Sequence, residues 1–335
     1  MGPTVKAKPF GCRVACAPCQ RFAGLGRRQS VVILRSMSWR AIPELLLLAT
    51  LWGSAYLFTR AAVPEFGPLP LVAMRFAIAS CLLVPVMCMR GGLPALWANK
   101  RRFLLLGIVF TALPFATIGY SAQFLGAGLL AILNATAPLF GAVVATLWVG
   151  EHMSRARMLG LVIGFAGVLI LVWGSVGLTP GGVFAVALMM GVSLCWAFAA
   201  NYTRLRLQAV DPVVVTAANT LVAMVVTAPL AWWWWPEVTP SSRAWTELLF
   251  LGCASSAGGM LLYFRLLRSI GTVPTMSVTF LSPVVAMVSG AFYLGEAVTL
   301  QTVLGGAVVL VGTALVLGIF QRAVPAPPRP AESAD

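Results

Sequence analysis

Acids and histidine are scarce in this chain. Its 335 residues include nine Asp or Glu and one His, so a catalytic or metal cluster built from those residues has almost no material to draw on. Seven cysteines do not change this. Cys12, Cys16 and Cys19 stand close together, but zinc takes four ligands and the single histidine, His152, is far along the chain. No metal or cofactor is therefore expected. Cys81, Cys88, Cys195 and Cys253 fall in apolar stretches and read as small buried thiols. Charge of either sign makes up 10% of the chain, against about 25% in soluble domains. Residues 103–150 and 158–203 contain no Lys, Arg, Asp or Glu. That excludes a soluble fold, which needs a large polar surface at this size. Polar and apolar residues do not alternate in these runs, which argues against a β-barrel.

The chain is instead 60% apolar, with a mean hydropathy of +0.92. About 20 apolar residues cross a bilayer as a helix. Ten such segments are predicted, near 42–62, 68–89, 103–121, 126–149, 156–174, 182–203, 211–235, 246–267, 272–294 and 300–320. The fold class is thus an all-α membrane protein of ten transmembrane helices. With the N-terminus inside, 20 of the 23 Lys and Arg collect on the inner side, and only Arg60 and Arg243 on the outer. This positive-inside bias puts both termini in the cytoplasm. Trp173 and Trp232–Trp235 then fall at the outer headgroup level, and Trp39 and Trp148 near the inner one.

Residues 1–36 hold seven Lys or Arg and no acid. They read either as a basic tail on the membrane surface or as an extension before a start at Met37; the run Met37-Ser38-Trp39-Arg40 into the first span favours the latter. The expected organisation is a basic, disordered extension over 1–37, five-helix halves over 38–175 and 176–321, and a Pro/Ala-rich disordered tail over 322–335.

The two halves repeat one another. Trp52 and Trp196, Arg60 and Arg204, Pro68 and Pro212, and Pro85 and Pro229 are each 144 residues apart. Gly107 and Gly252, Gly126 and Gly271, Pro138 and Pro283, Gly150-Glu151 and Gly295-Glu296, Gly160 and Gly305, and Gly167 and Gly312 are 145 apart. Five helices is an odd number, so the second half enters from the opposite face, which makes the repeat inverted.

Residues 38–321 resemble the drug/metabolite transporter superfamily in its EamA-like branch. The likeness lies in Leu51-Trp52-Gly53, Met74-Arg75-Phe76, Asn134-Ala135-Thr136-Ala137-Pro138, the two Gly-Glu pairs, and the glycine spacing of the fifth and tenth helices. It implies a transporter and favours efflux. It does not name a substrate, because related proteins carry amino acids, nucleotide-conjugated sugars, bases and drugs.

Arg75 lies within the second span, about seven residues from its outer end, hence roughly 10 Å deep. A mid-helix Arg costs about 2.5–3.5 kcal/mol on insertion scales, so such residues face a bundle interior or a water cavity. It reads as a site for a carboxylate or phosphate, or as a structural residue paired to carbonyls or reaching outward. Its repeat mate Asn219 is uncharged, which makes the expected cavity lopsided. Trp52 and Tyr56 share a helix face, and Trp196 repeats the theme; they are aromatic packing or a cavity wall. Asn134 precedes Pro138, which interrupts the fourth helix, and Pro283 is expected to do the same in the ninth. Paired broken helices point to a binding site. Gly160, Gly167, Gly305 and Gly312 read as packing seams. Glu151 and Glu296 sit at helix ends, as caps or as gating residues that pair with inner or outer arginines. No Asp or Glu lies deep in a predicted span.

These residues lead to a secondary transporter of the inner (plasma) membrane, working by alternating access around a cavity lined by helices one to four and six to nine. Its expected partners are a small amino-acid-like or other organic solute and the lipid bilayer, with no nucleic acid, and it acts as a monomer or homodimer. The alternative is a non-transporting membrane protein such as a lipid-modifying enzyme, which lacks a catalytic cluster here.

Overall fold

The computed structural model describes residues 41–150, 152–173 and 179–319. Ten rods follow one another: α1 (Ala41–Phe66), α2 (Pro68–Met89), α3 (Lys100–Ser121), α4 (Ala127–Trp148), α5 (Arg155–Leu171), α6 (Pro180–Arg206), α7 (Pro212–Trp233), α8 (Ser242–Ser269), α9 (Val278–Leu294) and α10 (Leu300–Val316). Seven of them have 22 to 28 residues and are apolar enough to cross a membrane; α9 and α10 are shorter apolar helices, and α5 has 17 residues. Short helices at Leu93–Ala98 and Thr272–Thr275 precede α3 and α9. The chain is an all-helical membrane protein.

The ends of the rods follow local chemistry. Pro68, Pro180 and Pro212 open α2, α6 and α7, where a missing N–H costs nothing. Hydropathy alone starts α3 at 103 and α8 at 246; the helices begin earlier. Lys100, Arg101 and Arg102 extend α3 because their long side chains reach the headgroup region while the backbone stays helical. Ser241 caps α8 by accepting from the Ala244 amide. Gly150 and Gly295 end α4 and α9 in the left-handed conformation, with φ of 76° and 67°. This is the helix-terminating role only glycine fills without strain, and it explains why a glycine precedes each of the two repeated glutamates.

The halves interlock. α1 packs on α9, and its repeat mate α6 packs on α4; α2 packs on α7, and α5 on α10. Each contact joins one half to the other and has its own symmetry mate, as an inverted repeat requires. Aromatic contacts obey the same operation: Phe58 meets Tyr293 with ring centroids 5.8 Å apart, and Tyr202 meets Trp148 at 6.5 Å.

Close packing of α5 and α10 rests on the expected glycines, joined by Gly164. A Cβ at Gly312 would lie 2.4 Å from the Gly164 nitrogen, and one at Gly160 would lie 2.7 Å from the Gly312 carbonyl. Backbones touch here, which is how helices gain attraction where no hydrophobic effect drives them together. Three of the four cysteines expected as buried thiols are not buried: Cys81, Cys88 and Cys253 are exposed on the perimeter of the bundle. An apolar thiol is at home against lipid as much as in a core.

Replacing Gly312 by Val forces α5 and α10 apart, at a cost of about 1–3 kcal/mol. Gly191 has open space within 4 Å of an added Cβ, so Gly191→Ala leaves stability unchanged or raises it by up to about 1 kcal/mol. Thermal denaturation of the two variants in detergent should lower the transition for the first only.

Candidate functional site

The helices depart from α-geometry at matching depths in the two halves. α3 carries a π-helical stretch at Gly107–Ala112 and α8 one at Phe250–Gly258, a distortion common at functional sites. Each begins near a repeated glycine that lets a helix of the other half approach. A Cβ at Gly252 would meet Ile78 at 2.6 Å and the Arg75 carbonyl at 3.2 Å. A Cβ at Gly107 would meet Val222, the mate of Ile78, at 2.4 Å and the Asn219 carbonyl at 3.3 Å.

Arg75 is held against the α8 stretch. Its Nε donates to Ser256 Oγ at 2.8 Å and its Nη2 to Ser255 Oγ at 3.3 Å. The guanidinium carbon lies 4.6 Å from the Phe115 ring centroid, a cation–π distance. Arg75 is 6% exposed, and among the described residues no carboxylate pairs with it. Tyr56 neighbours both Arg75 and Asn134. Asn219 is buried at the equivalent place in the other half, where the positions matching Ser255 and Ser256 are Phe110 and Thr111. The Oδ1 atoms of Asn134 and Asn219 are buried without a hydrogen-bond partner.

Trp52 and Trp196 reach across the repeat in the same way. Trp196 Nε1 donates to the Phe110 carbonyl in the α3 π-helical stretch at 3.0 Å, and its ring lies 6.0 Å from Phe115. Trp52 lies over Gly259, at the end of the α8 stretch, where a Cβ would come 2.6 Å from its Nε1, and its ring is 5.2 Å from Tyr263. Phe115 thus joins Trp196 to Arg75, bringing α2, α3, α6 and α8 into one layer.

The fourth helix breaks where Asn134 and Pro138 predicted, with turns at Ala135 and Thr136. Carbonyls at the break find donors on neighbours, as the membrane requires. Thr136 Oγ1 and Ser193 Oγ reach the Leu133 carbonyl at 2.7 and 3.3 Å, and Thr313 Oγ1 reaches that of Ala135 at 3.1 Å. Pro283 behaves differently from expectation. α9 runs unbroken through it, and the interruption falls earlier, in the turns at Met276 and Ser277. Pro138 sits in the first turn of its helical segment, where an amide has no helical acceptor. Pro283 comes too late for that and is absorbed by the helix instead.

Two cavities lie away from the Arg75 layer. One of about 540 Å³ is apolar and lies between the α1–α2 turn, α3, the start of α6 and Trp234, lined by Pro68, Tyr120 and Phe184 among others. A second, of about 230 Å³, is lined by Arg60, Gly126, Glu296 and Thr302 among others. Both open at the predicted outer ends of the helices, and Arg75 lines neither. Glu296 is in the α9–α10 connection, with Arg60 Nε 3.5 Å from its Oε1; Glu151 lies outside the described residues.

One acid escaped the sequence reading. Glu247, in the second turn of α8, is 3% exposed and accepts from Arg243 Nε at 3.1 Å and from the Tyr293 hydroxyl at 3.2 Å. The Arg243–Glu247 spacing of four residues was the available signal. Among the described residues, no group of three or more His, Cys, Asp or Glu is placed to hold a metal ion.

The description of the EamA-like transporter family matches residues 39–173 and 183–318, and each segment holds five of the rods. An uncharacterized transporter of Archaeoglobus fulgidus is 24% identical over 82% of this chain and 97% of the relative. The uncharacterized transporter YvbV of Bacillus subtilis is 27% identical over 81% of this chain and 90% of its own length. The uncharacterized inner membrane transporter YedA of Escherichia coli is 27% identical over 75% and 82% respectively. A solved crystal structure at 18% identity has a TM-score of 0.58 and covers 82% of this chain and 96% of that chain, which is a likeness of fold. With ten membrane rods in two inverted halves, and both halves matched, this chain belongs to the EamA-like transporter family of the drug/metabolite transporter superfamily.

Proposed function

We propose that this transporter is an alternating-access carrier of the cytoplasmic membrane that exports a small amino-acid-like organic solute, with both termini in the cytoplasm. Arg75 carries the reading. It is a buried guanidinium with no carboxylate beside it among the described residues, fixed through Nε and Nη2 by two serines of the opposite half. A buried charge is retained only where something compensates it, and an anionic group of the solute supplies that compensation. Asn134 and Asn219 offer unpartnered amide oxygens, which suit a donor such as an ammonium or hydroxyl. Tyr56, Trp52 and Trp196 form the apolar and aromatic part of the same layer.

The layer lies between the halves, so rocking one half against the other exposes it to each side in turn. The break in α4 and the π-helical stretches of α3 and α8 are the irregular backbone around which such motion is organised. Location in the cytoplasmic membrane is supported by the Escherichia coli relative YedA, an uncharacterized inner membrane transporter, and orientation by the Lys and Arg distribution. Export rests on the family resemblance. One chain contains both halves, so a monomer is complete, and a homodimer would hold two such sites.

Uptake into proteoliposomes, measured over a panel of amino acids, organic acids and neutral analogues, tests the role of Arg75. Arg75→Ala should reduce transport of anionic solutes about ten- to a hundredfold, the value of a hydrogen bond to a charged group, and leave neutral analogues near the parent rate. Undiminished transport of every anionic solute by that variant would falsify the assignment. Orientation is checked by alkaline phosphatase fusions: one placed after Trp235 should be active outside the cytoplasm, and one placed after Ile319 should be inactive.

A further inference from the structure

Away from the Arg75 layer, one ion pair organises four chain segments. Both carboxylate oxygens of Glu296 accept from the Ala127 amide, at 3.2 and 2.9 Å, while Arg60 Nε lies 3.5 Å from Oε1. Arg60 Nη1 in turn donates to the Ala122 carbonyl. Ala122 follows the last residue of α3, and Ala127 opens α4. The guanidinium therefore caps the C-terminal end of one helix and the carboxylate caps the N-terminal end of the next, each with the sign the helix dipole favours.

The space for the carboxylate is made by glycines. A Cβ at Gly126 would come 2.8 Å from Glu296 Oε2, and one at Gly290 2.7 Å from it. Gly126, Gly128, Arg60, Glu296 and Thr302 line the 230 Å³ cavity. Arg60 and the 122–126 hairpin belong to the first half, and Glu296 belongs to the second. The contact thus spans the interface at the predicted outer ends of the helices.

We infer that Arg60 and Glu296 form a latch that holds the outer ends of α1, α3 and α4 to the α9–α10 connection, and that outward opening requires its release. This rests on the alternating-access reading. Arg204, Gly271 and Glu151 stand at the matching positions of the repeat, so the same residue types are encoded for the inner side. An ordinary exposed ion pair contributes little. Here each partner also satisfies a helix end, and that gives the latch a direction: a carboxylate at position 60 cannot donate to a carbonyl, and a guanidinium at position 296 cannot accept from an amide.

The test uses the full chain in intact cells, with native cysteines replaced and Leu129→Cys as reporter. Leu129 lines the cavity and is 7% exposed, so a membrane-impermeant maleimide added outside should label it slowly. Glu296→Ala and Arg60→Ala, which remove both the ion pair and the helix caps, should each raise the labelling rate about tenfold. The charge-reversed pair Arg60→Glu with Glu296→Arg should stay fast. Gly290→Ala, which improves helix propensity but displaces the carboxylate, should label as fast as Glu296→Ala and so separates release of the latch from loss of folding. Unchanged rates in both single variants, or slow labelling restored by the reversed pair, would overturn the inference. Labelling needs no solute, so fast labelling of the variants in a protein that moves none of the panel upholds the latch while removing the amino-acid-like solute from the proposed function.

Discussion

The structure depends on one constraint: hydrocarbon offers no hydrogen bonds, so the backbone N–H and C=O groups of the bundle must be met by the protein itself. The break in α4 is tolerated because Thr136, Ser193 and Thr313 supply donors to its carbonyls. Trp196 spends its indole N–H on the π-helical stretch of α3. Lipid also removes the hydrophobic drive for helix association and leaves close backbone contact in its place, which is why the α5–α10 seam holds Gly160, Gly167 and Gly312, whose added Cβ atoms would strike backbone.

Duplication then explains how a nearly symmetric scaffold holds an asymmetric site. The π-helical stretch of α3, the glycine at its start and the helix packed on that glycine have counterparts in α8. On one side the helix contributes Arg75 and the opposing stretch contributes Ser255 and Ser256; on the other, Asn219 faces a stretch containing Phe110 and Thr111. A serine pair offers a guanidinium two hydroxyl acceptors, and a Phe-Thr pair offers one. The backbone framework has been kept while the side chains on it diverged, so charge sits in one half alone.

Much of this was legible beforehand. Charge-free runs and the paired Trp, Pro, Arg and Gly-Glu positions indicated ten helices and an inverted repeat, because the bilayer's demands on length and polarity are strict and local. Arg75 stood out by its insertion cost. Other features gave weaker signals. Glu247 drew no reading from the sequence, and it is buried where Tyr293, 46 residues on, donates to it in the folded chain. Pro283 matched Pro138 in sequence, yet α9 starts early enough to carry it. The cysteines of α2 and α8 were apolar in context, and hydropathy does not distinguish a lipid-facing position from a core one.

By itself the sequence determined the solvent, the number of rods, their alternation and the relation between halves, since each follows from counting charge and apolar length along the chain. Only the tertiary structure decided which residues meet: that Arg75 rests on Ser255 and Ser256 some 180 residues away, that Glu296 caps a helix of the other half, and that Arg60, Gly126 and Glu296 line one cavity. The reason is physical. Composition and periodicity record how each segment meets its surroundings, whereas partners across an interface are chosen by packing and hydrogen-bond geometry that exist only once the helices have come together.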